Sequence, residues 1–214
     1  MPVVRLIRHG QSASNAGEAT EHPDTIPLTP LGHAQAALVA SCFRRAPARV
    51  IFSPFDRAAQ TAQPLCERFP DAPVFVWPIQ EFTYLAPRRY VGTTRLDRCQ
   101  AVVEYWQRLD PRYRDGEGAE TFVEFWDRVE AFLERLEPLP GTSAIFSHGQ
   151  FLRGVLLRLL SGPLGVEEAM TRFRSFRTAV AYPNTAMTEL AVSRRGTYVG
   201  RISAGHLPPE MLST

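Results

Sequence analysis

An apolar run ends in a histidine and a glycine near the start of the chain, Val3-Val4-Arg5-Leu6-Ile7-Arg8-His9-Gly10. A second run ends in the same pair much later, Ser143-Ala144-Ile145-Phe146-Ser147-His148-Gly149. Short apolar runs of this kind are typical of buried strands, and open α/β sheets bind ligands at the carboxyl ends of their strands. One histidine alone would more often be structural or exposed. Two that follow similar strands predict one site that contains both imidazoles.

Strands and helices alternate along the rest of the chain. Further strands are expected near residues 49–52, 73–77, 185–192 and 197–203, and helices near 30–45, 53–68, 99–109, 120–136, 150–161 and 166–176. Thr29-Pro30 and Ser53-Pro54 each predict a helix start, because a hydroxyl cap is often followed by proline at the first helical position. The alternation predicts a three-layer α/β/α sandwich with a mostly parallel sheet.

The organisation expected from this pattern is a single domain over residues 1–214. The stretch 78–118 is interpreted as an insertion that lies over the carboxyl edge of the sheet, and therefore over the site.

Composition excludes several function classes. All 24 cations are arginine, so no lysine is present for Schiff-base catalysis or for a Walker A motif. A formal charge of +2 argues against a general nucleic-acid surface. Cys42, Cys66 and Cys99 are an odd number without a CxxC pair, which favours a reducing compartment. With no apolar run of membrane-spanning length, a cytoplasmic chain without a membrane partner is expected.

Two kinds of chemistry suit a pair of histidines at one sheet edge. A metal site has weak support, since the sequence contains no HxH or HExxH and the neighbouring charges are arginines, which repel a cation. Arg8 and Arg57 suit an anion instead. A neutral imidazole can attack phosphorus while guanidinium groups neutralise the phosphoryl oxygens. The prediction is a phosphoryl-transfer site with no metal and no cofactor.

The chain resembles the histidine phosphatase superfamily, the phosphoglycerate mutase-like family. The similarity lies in blocks that occur in the family's order: Leu6 to Ser12 with Asn15, Leu28-Thr29 with Gly32 and Gln35-Ala36, Ser53 to Ala58 with Gln60-Thr61-Ala62, Glu81, Glu120-Thr121, Ser147-His148-Gly149, and Pro183-Asn184-Thr185. The blocks span most of the chain. The resemblance implies a phosphoglycerate mutase-like fold.

The resemblance also implies roles at the matching positions. His9 would be the nucleophile that becomes phosphohistidine, and Glu81 would give a proton to the leaving oxygen. The phosphoryl oxygens would be held by Arg8, Arg57 and His148, with Asn15 at the margin of the pocket. Gly149 begins a predicted helix, so backbone N–H groups there can also point at an anion. The substrate would be a small phosphorylated molecule or a phosphoprotein.

Several alternatives stay open at this point. Glu120 either caps the long helix or supports the pocket, and Asn184 either closes a turn or belongs to the site. Arg88 and Arg89 either bind an acidic substrate or are solvated loop charges. A mutase is disfavoured, because residues 82–90 read FTYLAPRRY where mutases have a Leu-Asn-Glu-Arg-His-Tyr-Gly type segment. A non-catalytic phosphate-binding module is a further alternative, although all four expected catalytic side chains are present.

Overall fold

The structure of the protein is a computed structural model that describes residues 2–136, 141–193 and 196–214. One sheet contains the strands β1 (Val3–Arg8), β2 (Arg49–Phe52), β3 (Val74–Val76), β4 (Thr142–Ser147), β5 (Met187–Ser193) and β6 (Gly196–Ser203). The order across the sheet is β3-β2-β4-β1-β5-β6. The strand pairs β3–β2, β2–β4 and β4–β1 are parallel, and β5 pairs antiparallel with both β1 and β6. The predicted, mostly parallel sheet is confirmed.

Helices cover both faces of this sheet. They are α1 (Pro30–Ser41), α2 (Asp56–Arg68), α3 (Cys99–Arg108), α4 (Phe122–Leu136), α5 (Gly149–Ser161) and α6 (Val166–Ala179), with short 3-10 turns at Pro87–Tyr90 and Pro209–Met211. Alternate strand residues point to opposite faces. Ile7 therefore packs in the cluster that includes α1 and α2, whereas Leu6 packs in the larger cluster that includes α4, α5 and α6.

The helix starts show where local sequence rules hold. Thr29 caps α1 as predicted, since its side chain accepts a hydrogen bond from the Gly32 N–H at 3.1 Å. The predicted cap at Ser53-Pro54 is wrong, because α2 begins only at Asp56 and has no side-chain cap. Ser53 instead binds the Phe55 N–H at 3.2 Å and lies 2.7 Å from a nitrogen of His148. Its hydroxyl therefore contacts His148 and does not cap α2.

The pairing of β1 with β4 determines where the site lies. Arg8 and Ser147 are partners at the ends of the two strands, and the strands run in parallel. His9 and His148 therefore leave the sheet side by side at its carboxyl edge, as the two similar sequence runs predict.

Candidate active site

His9 and His148 lie next to each other, with 5.1 Å between their ring centroids. His9 is 3% exposed and His148 is completely buried. Burial is the largest cause that lowers the pKa of each imidazole well below 6.5, and the nearby charge of Arg57 is the second. Both rings are therefore neutral at neutral pH.

The hydrogen bonds of His9 define which nitrogen is free. Nδ1 lies 2.7 Å from the Gly10 carbonyl oxygen, and only a protonated nitrogen can donate to a carbonyl. Nε2 therefore carries a lone pair, and the Arg57 Nε–H donates to it at 3.3 Å. A neutral histidine with this tautomer has the nucleophilic nitrogen directed at a guanidinium group, which is also where an anion would bind.

Arg8 and Arg57 supply positive charge beside that nitrogen. Arg57 donates from Nη1 to the Pro23 carbonyl at 2.6 Å, and Arg8 donates from Nη1 to the Tyr182 carbonyl. Burial lowers the pKa of both arginines to about 10, so both remain protonated at neutral pH. The Arg8 Nε is buried and has no hydrogen-bond partner among the described residues. A buried donor of this kind requires an acceptor, and a phosphoryl oxygen would provide one.

His148 differs from the position expected for a phosphate ligand. Its Nε2 is within hydrogen-bond distance of Ser53 Oγ, and its Nδ1 is buried without a partner in the described part of the chain. His9, Arg8 and Arg57 line the adjacent cleft, but His148 is not among the lining residues. A direct contact of His148 with substrate stays a prediction.

Glu81 contacts the first turn of α5 through its carboxyl group. Its Oε1 accepts hydrogen bonds from the Gln150 N–H at 2.9 Å and from the Phe82 N–H at 3.1 Å. Glu81 also lines the cleft. The helix start is crowded, because a Cβ at Gly149 would lie 2.9 Å from Arg153 Nη1 and 3.4 Å from Arg8 Nε. Glycine therefore leaves room for the two guanidinium groups.

The described contacts resolve the question about Asn184. It is completely buried, and its Nδ2 donates to the His9 carbonyl and to Asn15 Oδ1, both at 3.1 Å. Asn15 Oδ1 also accepts from the Ser12 N–H at 3.2 Å. Asn184 therefore connects the backbone of His9 to the predicted pocket-margin residue Asn15, and a positioning role for it is a prediction that mutation can test.

Two further residues, Thr61 and Gly32, contact the loop after β1. No role was predicted for either from the sequence. The Gly10 N–H donates to Thr61 Oγ1 at 3.0 Å. A Cβ at Gly32 would lie only 2.1 Å from the Gln11 carbonyl oxygen, so the close approach of α1 to this loop requires glycine. Thr61 and Gly32 both occur in the sequence blocks quoted above, but their contacts with this loop are visible only in the packed structure.

Glu120 supports the segment that carries Glu81. It forms an ion pair with Arg128 at 2.6 Å, and Arg128 donates to the carbonyls of Pro78 at 3.0 Å and Gln80 at 3.2 Å. Glu120 is not the cap of α4. The Thr121 Oγ1 accepts from the Glu124 N–H at 3.2 Å, and Glu124 Oε2 accepts from the Thr121 N–H at 2.8 Å, which is a capping box.

The cleft over the site has a volume of about 810 Å³. It is lined by residues of the 78–118 segment, including Tyr84, Tyr90, Arg95 and Arg98, and by Arg153 and Arg177 from α5 and α6. No sequence pattern indicated these last four arginines. Arg88 and Arg89, which were considered from the sequence instead, pair with Glu117 at 2.8 Å and Asp115 at 2.9 Å and do not line the cleft.

The described residues contain no group of three or more His, Cys, Asp or Glu side chains placed to hold a metal ion. In residues 2–136, 141–193 and 196–214, no helix has both the length and the apolar character needed to cross a membrane.

The fold and the site together define an α/β protein whose sheet edge presents a neutral histidine and two buried arginines to an anion. Comparison with known proteins identifies the family of this chain. Residues 4–203 match the histidine phosphatase superfamily (branch 1). An adenosylcobalamin/alpha-ribazole phosphatase of Salmonella typhimurium is 33% identical over 167 residues, which cover 74% of this chain and 79% of that protein.

Solved structures show the same fold. A phosphoserine phosphatase mutant from Entamoeba histolytica in complex with phosphoserine matches with a TM-score of 0.74 and 22% identity, covering 97% of this chain and 100% of that one. The alpha-ribazole phosphatase from Shigella flexneri matches with a TM-score of 0.73 and 21% identity, covering 95% and 96%. The chain belongs to the histidine phosphatase superfamily, branch 1. The predicted family, fold class and phosphomonoester hydrolase activity are confirmed.

Proposed function

We propose that the enzyme hydrolyses a small phosphomonoester through a phosphohistidine on Nε2 of His9. The observation that carries this proposal is the unprotonated Nε2 of His9, which accepts a hydrogen bond from the Arg57 Nε at 3.3 Å in the cleft that Arg8 also lines. Low pKa values of both histidines keep the nucleophile unprotonated. The guanidinium groups neutralise phosphoryl oxygens as charge redistributes in the transition state.

The reaction consists of two phosphoryl transfers. In the first, His9 Nε2 bonds to phosphorus, the bond to the leaving oxygen breaks, and Glu81 gives that oxygen a proton. In the second, water attacks the phosphohistidine, the Glu81 carboxylate takes a proton from the water, and phosphate leaves a neutral His9. Arg8, Arg57 and His148 would hold the phosphoryl oxygens, with Asn15 and the backbone at Gly149 at the margin of the pocket.

Hydrolysis is favoured over mutase-type transfer by the 82–90 segment, which lacks the mutase pattern. A cleft of about 810 Å³ is a suitable size for a small molecule, and the relatives named above are called phosphatases of small phosphorylated compounds. The single-domain interpretation with 78–118 over the site is supported by the residues of this segment that line the cleft. Free Cys42, Cys66 and Cys99 support a cytoplasmic location.

A rapid-quench experiment tests the nucleophile. A phosphomonoester labelled in the phosphoryl group should leave acid-labile, base-stable label on His9 of the wild-type enzyme. His9→Ala should carry no label and should have lost turnover, whereas His33→Ala, an exposed histidine on α1, should behave like the wild type. Substantial turnover by His9→Ala would refute the assignment. Label that passes to a second organic acceptor instead of water would favour the mutase, and absence of any label in the wild type would favour the binding module.

A further inference from the structure

We propose that Arg95, Arg98 and Arg177 form a second anion-binding subsite in the same cleft. The substrate would then be a phosphomonoester that carries a second anionic group, either a carboxylate or a further phosphate. This inference rests on the proposed function, because the first phosphoryl group occupies the site at His9.

The charge of the cleft exceeds what one phosphate requires. Among the described residues, six arginines and two glutamates line it, a formal side-chain excess of four positive charges. The whole chain has a formal charge of only +2, so positive charge is concentrated here. A phosphomonoester dianion would neutralise two of the four charges. The remaining two are available to a second anionic group.

The outer arginines have no carboxylate partners. In the described ranges, Arg95, Arg98, Arg153 and Arg177 take part in no ion pair, whereas Arg88 and Arg89 of the same inserted segment pair with Glu117 at 2.8 Å and Asp115 at 2.9 Å. Arg88 and Arg89, which lie outside the cleft, are therefore each paired with a carboxylate. Among the described residues, the arginines that line the cleft form no ion pair.

The outer guanidinium groups are held while their terminal nitrogens remain available. The Arg98 Nε donates to the Thr94 carbonyl at 3.1 Å, and the Arg153 Nε donates to the Val180 carbonyl at 2.7 Å. Arg177 stacks over the Trp106 ring at 4.5 Å, and its buried Nε has no partner among the described residues. A guanidinium held in this way is oriented for two-point recognition of a carboxylate or phosphate.

Arg153 connects the two parts of the cleft. Its Nη1 lies beside Gly149, on the same side as the Arg8 Nε. After burial and the opposing charge of Glu81, the neighbouring charges of Arg177 and Arg95 contribute to the lowered pKa of Arg153. Arg153 therefore links the phosphoryl site to the outer arginines, and the proposed subsite would bind the second anionic group of the same small molecule.

The walls between these charges are apolar. Leu96 lines the cleft although 82% of it is exposed, and Val103 does so at 48%. Tyr84, Leu85 and Val102 lie along the same surface. These apolar side chains can contact the carbon skeleton of a substrate whose two anionic groups bind at either end. Separate inorganic anions would gain nothing from such contacts.

The test compares substrates that differ in one group. 3-Phosphoglycerate and glycerol 3-phosphate differ by a carboxylate, and fructose 1,6-bisphosphate and fructose 6-phosphate differ by a phosphate. Wild-type kcat/KM should be higher for the diacid of at least one pair, and the pair that responds distinguishes carboxylate from phosphate. Arg98→Gln and Arg177→Gln should each lower kcat/KM for the preferred diacid about 10- to 100-fold, mostly through KM. The loss on the matched monoacid should be much smaller.

Arg88→Gln is the matched control, because Arg88 belongs to the same segment but pairs with Glu117 outside the cleft. Equal kcat/KM within both pairs, or equal losses on diacid and monoacid, would overturn the second subsite. Hydrolysis of p-nitrophenyl phosphate would show in that case that the proposed function stands. If no substrate is turned over, calorimetric titration of His9→Ala with both members of each pair still measures the subsite, and equal affinities would overturn it.

Discussion

The substitution Glu81→Gln distinguishes two roles of this side chain, which are to donate a proton and to accept backbone hydrogen bonds. Glu81 Oε1 accepts two backbone hydrogen bonds, from Gln150 at 2.9 Å and from Phe82 at 3.1 Å. The amide oxygen of glutamine can accept both, so the start of α5 should remain in place. What Glu81→Gln removes is the proton for the leaving oxygen, because an amide has no carboxyl proton to give.

The loss of the proton should depend on the leaving group. General acid catalysis contributes about 100- to 10,000-fold to a rate, so kcat for an alkyl phosphate should fall by a factor in that range. An aryl phosphate with an acidic phenol needs little protonation and should lose far less.

Steady-state kinetics on one alkyl and one aryl phosphate measure this difference, and rapid quench should still trap phosphohistidine from the aryl ester in the variant. Glu21→Gln is the control, since Glu21 is the other glutamate among the described residues that line the cleft. Equal losses on both substrates would refute proton donation by Glu81 and leave it a positioning role. A loss confined to the alkyl ester in Glu21→Gln would assign the acid to Glu21. Glu120 is a weaker alternative, because Arg128 holds it at 2.6 Å.

Three further predictions concern pH, metals and the support of His9. The lowered pKa values of His9 and His148 mean that below pH 6.5 the unfolded chain binds protons that the folded chain does not; urea titrations should therefore give a lower free energy of unfolding at pH 5.5 than at pH 7.5, and a rise would contradict this. Incubation with EDTA should leave kcat/KM unchanged, and a loss that one divalent ion restores would indicate a metallohydrolase. Asn184→Ala should lower kcat more than it raises KM and should cost about 1–3 kcal/mol of stability, whereas an effect on KM alone would contradict a positioning role.

The meeting of the two histidines at one sheet edge was predictable because both follow the ends of strands. His9 and His148 follow short apolar runs that are typical of buried strands, and parallel pairing brings such ends to one edge. Arg8 is adjacent to His9 in sequence. These positions depend on strand pairing alone, which hydrophobic pattern encodes strongly.

The rule that a hydroxyl residue before proline caps a helix failed at the one position where the hydroxyl had a second possible partner. Thr29 and Ser53 both precede proline, yet only Thr29 caps its helix. Ser53 directly follows β2, next to β4, and its hydroxyl lies 2.7 Å from His148. The residues around the hydroxyl in sequence are the same type in both cases. The difference arises from the neighbouring strand, which a local pattern does not contain.

The outer half of the cleft had no sequence signal for a related reason. Arg95 and Arg98 come from the inserted segment, and Arg153 and Arg177 come from successive helices, so no spacing links them. Their common feature among the described residues is that they form no ion pair, and only the packed structure reveals this. In the proposed reaction, the nucleophile His9 follows a strand end that cannot move without loss of the sheet. The outer arginines lie on a loop and on helix surfaces, where we expect substitution to change the preferred substrate and leave the sheet intact.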